Sequence, residues 1–225
     1  MGQAIGQALP FAVAIALSPI PIVGVVLMLS TPAGPAEGIS FLAGWVLALA
    51  AGGTLLLFAA SGGEASEAGA PATWVSIVKI VLGILLLRVA VSQWRSRPKG
   101  DAEPQLPAWM KTIDRFTPAK AAGMGALLAV VNPKNLILLV GGAAAIAQTG
   151  ASSGDQAAAL AVFIVIATIG VAAPIAIKFL MGRRATQLLA ELHDWMIREN
   201  STIMAVICLV IGVKLLGDAI SGLSM

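Results

Sequence analysis

The chain has 225 residues, of which 58% are hydrophobic and 11% charged, with a net charge of +3 and a mean hydropathy of +0.93. A soluble domain of this size has no use for so much apolar surface, and the charged share is under half the usual ~25%. The class expected is therefore an all-α, polytopic membrane protein of one domain. The basic balance does not mark a nucleic-acid binder, because most cations lie in loops beside hydrophobic segments, where topology accounts for them.

Six hydrophobic segments follow one another, each close to or above the ~20 residues a helix needs to cross a bilayer. The first runs from Ala4 to Leu29 and is broken at Ser18-Pro19-Ile20-Pro21. It has no basic leader and is expected to stay as a span. The second runs from Ile39 to Ala60 and the third from Trp74 to Trp94. A polar stretch with Pro98, Pro104, Pro107 and Pro118 then reads as a linker, residues 95–118, between two halves, residues 1–94 and 119–225. Within it, Trp109 to Phe116 can form a short helix at the interface or an irregular loop. The fourth segment, Ala119 to Gln148, is broken at Asn132-Pro133-Lys134-Asn135. The fifth runs from Gln156 to Met181. The sixth runs from Thr202 to Leu223, after a partly amphipathic helical stretch from Ala185 to Arg198 with a solvated charged face.

The loops assign sides. Arg95, Arg97, Lys99, Lys111, Arg115 and Lys120 lie between segments three and four, and Arg183, Arg184 and Arg198 between five and six. The opposite side carries Glu64, Glu67 and Asp155 with no Lys or Arg. Basic short loops stay in the cytoplasm, so both termini are expected outside; a re-entrant first segment would instead bring the N-terminus inside.

The halves resemble each other. Ser18-Pro19 and Asn132-Pro133 break the first span of each half, and Ile80-Val81-Leu82-Gly83-Ile84 matches Leu209-Val210-Ile211-Gly212-Val213 in the third. With three spans per half, the second copy enters the membrane from the other side. The expected architecture is six transmembrane helices as two inverted three-helix repeats, with broken helices 1 and 4 meeting at the substrate site.

Depth separates the candidate residues. All 11 acidic residues lie in loops or near segment ends. Lys79 and Lys178 are close enough to segment ends to snorkel and read as interfacial anchors. Lys134 and Lys214 lie roughly 22 Å and 18 Å into their segments at the helical rise. A mid-helix cation costs at least ~2.5–3.5 kcal/mol, which a counter-ion, a watery cavity or an anionic substrate must recover. Asp218, one helical turn after Lys214, can share its helix face, so Lys214 reads either as half of a structural ion pair or as a pathway residue; Lys134 has no such neighbour and reads as a substrate contact, with carbonyl capping at the break as the alternative. Asn132 and Asn135 line the site or satisfy freed backbone groups. Deep cations without deep carboxylates suit an anion better than a cation or a proton relay. The single Cys208 and single His193 leave no intramolecular disulfide, thiol pair or histidine metal cluster. No metal, cofactor or enzyme chemistry is expected.

At these motifs the chain resembles the lysine exporter (LysE) superfamily, with its two three-span repeats, a Pro motif in span 1 and Asn-Pro-Lys in span 4. Within it the chain is most similar to the actinobacterial GAP family of glycopeptidolipid- and sulfolipid-addressing proteins. The stretches that carry the resemblance are Ala16-Leu17-Ser18-Pro19-Ile20-Pro21, Gly38-Ile39-Ser40-Phe41-Leu42-Ala43-Gly44-Trp45 and Asn132-Pro133-Lys134-Asn135-Leu136. The resemblance implies export or flipping of a lipid or small metabolite across a bacterial cytoplasmic membrane. Amino-acid exporters of the superfamily carry Pro-Gly-Pro in span 1, and its thiol-disulfide carriers a cysteine beside each Pro; neither is present here. The function expected is export or flipping of an amphiphile with an anionic head group. Its head group would be held by Asn132, Pro133, Lys134 and Asn135, with Ser18, Pro19 and Pro21 opposite and Lys214 joining from span 6. A small-metabolite or amino-acid exporter and a non-transporting scaffold of a lipid export machine are the alternatives. The expected partner is a membrane lipid or a small anion, and small-residue faces allow a homodimer.

Overall fold

The computed structural model describes residues 1–62, 73–97 and 108–223. Glu64, Glu67, Lys99, Pro98, Pro104 and Pro107 lie outside the described residues. The helices are α1 (Gly2–Ala16), α2 (Pro19–Leu29), α3 (Gly34–Gly62), α4 (Thr73–Arg95), α5 (Pro118–Val130), α6 (Pro133–Ala147), α7 (Ser153–Met181) and α8 (Ala185–Leu223), with a 3-10 helix at Ala108–Arg115. Helices α3, α4, α7 and α8 are each long and apolar enough to cross a membrane. The pairs α1–α2 and α5–α6 meet the same test when joined, bent by 48° and 61° at their breaks. The chain is an all-helical, multi-pass membrane protein.

Both bends have one chemical cause. Ser18 and Asn132 stand before prolines, which excludes them from helical backbone, and both adopt extended conformations with ψ of 112° and 118°. Pro19 and Pro133 then occupy the first helical position, where a fixed φ suits helix initiation and no N–H is lost from the ladder. A helix therefore ends and a new one begins at each site.

The helices have apolar residues on every side, so small residues decide which faces meet. On α3, a Cβ at Gly44 would collide with the Ala122 carbonyl of α5; on α5, a Cβ at Gly125 would collide with the Phe41 carbonyl of α3. Helices α4 and α8 cross at two glycines, where a Cβ on Gly83 or on Gly212 would lie 3.1 Å from the other's carbonyl. The four-residue offset is reciprocal too: Gly83 faces Leu216, and Gly212 faces Leu87. The neighbours of the two halves correspond. Helix α3 packs on α5 as α7 packs on α1; α3 packs on α6 as α7 packs on α2; α4 packs on α6 as α8 packs on α2. Other relations are unequal: helix α1 packs along α6, whereas α2 is lined by α3, α7, α8 and the 3-10 helix.

Two local features differ from the sequence reading. The amphipathic stretch from Ala185 and the sixth hydrophobic segment form one continuous helix, α8, because no Pro or Gly separates them. The interfacial helix near Trp109 is a 3-10 helix that packs inward: Met110 and Ile113 are buried, and the Trp109 ring lies against Gly24 of α2.

Candidate functional site

The two breaks meet. Lys134, the second residue of α6, is 3% exposed, and Asn135 and Ser18 are buried with it. The Lys134 ammonium donates to the Ala14 carbonyl at 3.1 Å and to Ser18 Oγ by a short hydrogen bond. Ser18 Oγ donates in turn to Asn135 Oδ1 at 3.0 Å. Asn135 Nδ2 donates to the Leu128 carbonyl at 2.9 Å. Asn132 caps α6, its Oδ1 accepting from the Lys134 backbone N–H at 3.2 Å. Residues more than 110 positions apart in sequence thus share one buried network.

Each bond answers a need created by the breaks. Ala14 and Leu128 lie in the last turns of α1 and α5, where carbonyls lose their intrahelical donors. In an apolar surrounding each such carbonyl needs a partner. The ammonium serves one and the Asn135 amide the other. A cation at the C-terminus of α1 also opposes the negative end of that helix dipole. Pro19 and Pro21 are buried in the first turn of α2 and carry no N–H, so that turn presents fewer unpaired donors.

The network holds no carboxylate. Among the described residues Lys134 forms no ion pair. The site is therefore a buried, positively charged locus at the N-terminus of α6, close to that of α2, both positive ends of helix dipoles.

Of the residues expected at the site, Ser18, Lys134 and Asn135 are brought into direct contact. Asn132 and the prolines shape the helix starts. Lys214 is engaged elsewhere: its ammonium lies 2.5 Å from Asp218 Oδ2 and 5.3 Å from the Phe11 ring centroid. Lys79, read as an interfacial anchor, is instead buried and donates to Gln148 Oε1 at 2.5 Å, within electrostatic reach of Asp218 and Lys214. Lys178 lies in the last turn of α7.

Arg88 escaped the sequence reading. It is exposed on α4, about 10 Å before the Arg95 end at the helical rise. The depth argument applied to the lysines would have found it, had the arginines been included. With Ser92, Arg95 and Ser96 it borders a groove of about 1110 Å³ that reaches Pro133 and Ile137 of α6.

The fold and site define a multi-pass helical membrane protein whose two bent helix pairs meet at a buried lysine. The sequence matches the family of Sap, the sulfolipid-1-addressing protein, over residues 8–221, and the chain belongs to that family. No curated protein and no solved structure matches it.

Proposed function

We propose that the protein is a membrane transporter that exports or flips an amphiphile with an anionic head group, a lipid or glycolipid, across the cytoplasmic membrane. The observation that carries this reading is Lys134: a cation buried at the crossing of two broken spans, with no carboxylate partner among the described residues. A buried charge without a counter-ion costs several kcal/mol, and an acidic head group at that point offsets the cost. Family membership supports a lipid as cargo, since the family's namesake is described as addressing a sulfolipid.

The architecture we assign is six spans in two inverted repeats, of the lysine exporter superfamily type. The reciprocal Gly83–Gly212 crossing with its Leu87 and Leu216 contacts supports it, as do the matching neighbours of the two halves. In this architecture the Ser18-Pro19 break of the first half corresponds to the Asn132-Pro133 break of the second. Only the second copy carries a lysine after its proline, so the charge is a specialisation of one repeat.

A second reading is favoured by the closure of the network. Lys134 and Asn135 each serve a freed carbonyl, which is also what a purely structural residue does, and then the protein is a non-transporting scaffold of lipid export. The separating experiment is scrambling of a fluorescent anionic phospholipid in liposomes. Flipping by the wild-type protein, lost in Lys134→Met while the variant stays folded, supports the transporter. Flipping at the normal rate by Lys134→Met removes Lys134 from the site. No flipping by the wild-type protein leaves the scaffold, and export of small anions, in its place.

A further inference from the structure

We infer that the groove between α4 and α6 is a lateral binding site for an anionic membrane lipid, with Arg88 and Arg95 as its head-group contacts. The lipid's role as cargo on its way to Lys134 rests on the transport reading; the binding site itself does not.

Three polar residues share one face of α4: Arg88 and Arg95 are two turns apart and nearly superpose on the helical wheel, and Ser92 falls beside them. Ser96 follows the last residue of α4 and borders the same groove. All four are exposed and border the groove of about 1110 Å³. This face lies on a helix apolar enough to span a membrane, and exposed Ile84, Leu85 and Val91 surround it, so it faces acyl chains. Arg95 at the helix end is an ordinary interfacial anchor. Arg88, about 10 Å deeper, is not at the helix end, and among the described residues it makes no ion pair. Two guanidiniums with the Ser92 hydroxyl between them form a ladder of donors, with no acceptors on the arginines, suited to the oxygens of a phosphate or sulfate.

The apolar part of the site fits the rest of such a molecule. The groove floor runs to Pro133 and Ile137 of α6, and Pro133 immediately precedes Lys134. A second groove of about 330 Å³, between α4 and α8, shares Val91 and Arg95 with the first and continues to Ala205 and Leu209. Chains of one lipid can therefore run down both sides of α4 from a head group held at the arginines. A soluble anion would leave both apolar grooves empty, so the occupant is a lipid.

The test is lipid retention by the full-length protein in mixed nanodiscs of phosphatidylglycerol and phosphatidylcholine, read by native mass spectrometry after release. The wild-type protein is expected to retain the anionic lipid with a preference of about tenfold. Arg88→Gln should reduce that preference, and Arg88→Gln with Arg95→Gln should abolish it, while Arg88→Lys keeps part of it. Equal retention of both lipids by the wild-type protein, or an unchanged preference in the double variant, overturns the inference. A preference that depends on Arg88, found in a protein that flips no lipid, leaves the site standing and removes the transport reading instead.

Discussion

The contact between the two breaks can be measured directly by a double-mutant cycle on Ser18 and Lys134. Ser18 is 2% exposed; its hydroxyl accepts from the Lys134 ammonium and donates to Asn135. Ser18→Ala removes one bond to a charged group and one between neutral groups. In water-soluble cores these are worth ~1.5–3 and ~0.5–1.5 kcal/mol. In membrane proteins the unfolded reference also finds partners, and measured polar couplings average ~0.6 kcal/mol with a maximum near 1.7. The Lys134 ammonium keeps only the Ala14 carbonyl in the variant, which places this bond at the upper end. Ser18→Ala is thus expected to cost about 2 kcal/mol in the wild-type background and about 1 kcal/mol in Lys134→Met, where only the Asn135 bond is lost. The assay is equilibrium unfolding in mixed micelles titrated with sodium dodecyl sulfate, on the wild-type protein, both single variants and the double variant. A coupling of about 1 kcal/mol is the expected outcome. Additivity within ~0.5 kcal/mol, the behaviour of independent sites, would show that the two bent helix pairs do not meet through these side chains.

Three further outcomes follow from the packing. Gly123 and Gly125 lie two residues apart on α5, but a Cβ at Gly123 meets nothing while one at Gly125 runs into the Phe41 carbonyl of α3. Gly123→Ala should therefore be neutral or stabilise by up to ~1 kcal/mol, and Gly125→Ala should destabilise by ~1–3 kcal/mol; thermal unfolding of the two variants side by side checks this. Lys214 and Asp218 form a partly buried pair, so Lys214→Met alone should destabilise more than Lys214→Met combined with Asp218→Asn, with lipid scrambling retained in the double variant. Loss of scrambling in a stable double variant would return Lys214 to the transport site. Trp109→Ala should free the 3-10 helix from Gly24 of α2, seen as faster hydrogen exchange across residues 108–116 with no change in α4; unchanged exchange would mean that Met110 and Ile113 hold the helix without it.

Apolar length and proline position are local properties, and they marked the apolar segments and both breaks before any packing was known. The extended conformations of Ser18 and Asn132 follow directly from the proline after each. The matching Gly83 and Gly212 stretches were visible too, but not that the two glycines touch. Local chemistry also left Lys214 ambiguous, and only the folded chain pairs it with Asp218 and sets it over Phe11. The same holds for the partners of Lys134. Ala14 and Ser18 are more than 110 residues away, and nothing near Lys134 in sequence names them. The physical reason lies in the solvent. A helix in water shows its buried face by a stripe of apolar residues, whereas a helix in lipid is apolar on both its packed and its exposed faces. Its length and breaks can be read from the chain, but its rotation about its own axis cannot. That rotation, set by where small residues let backbones approach, decides which side chains meet Lys134 and turns Arg88 and Arg95 toward a groove.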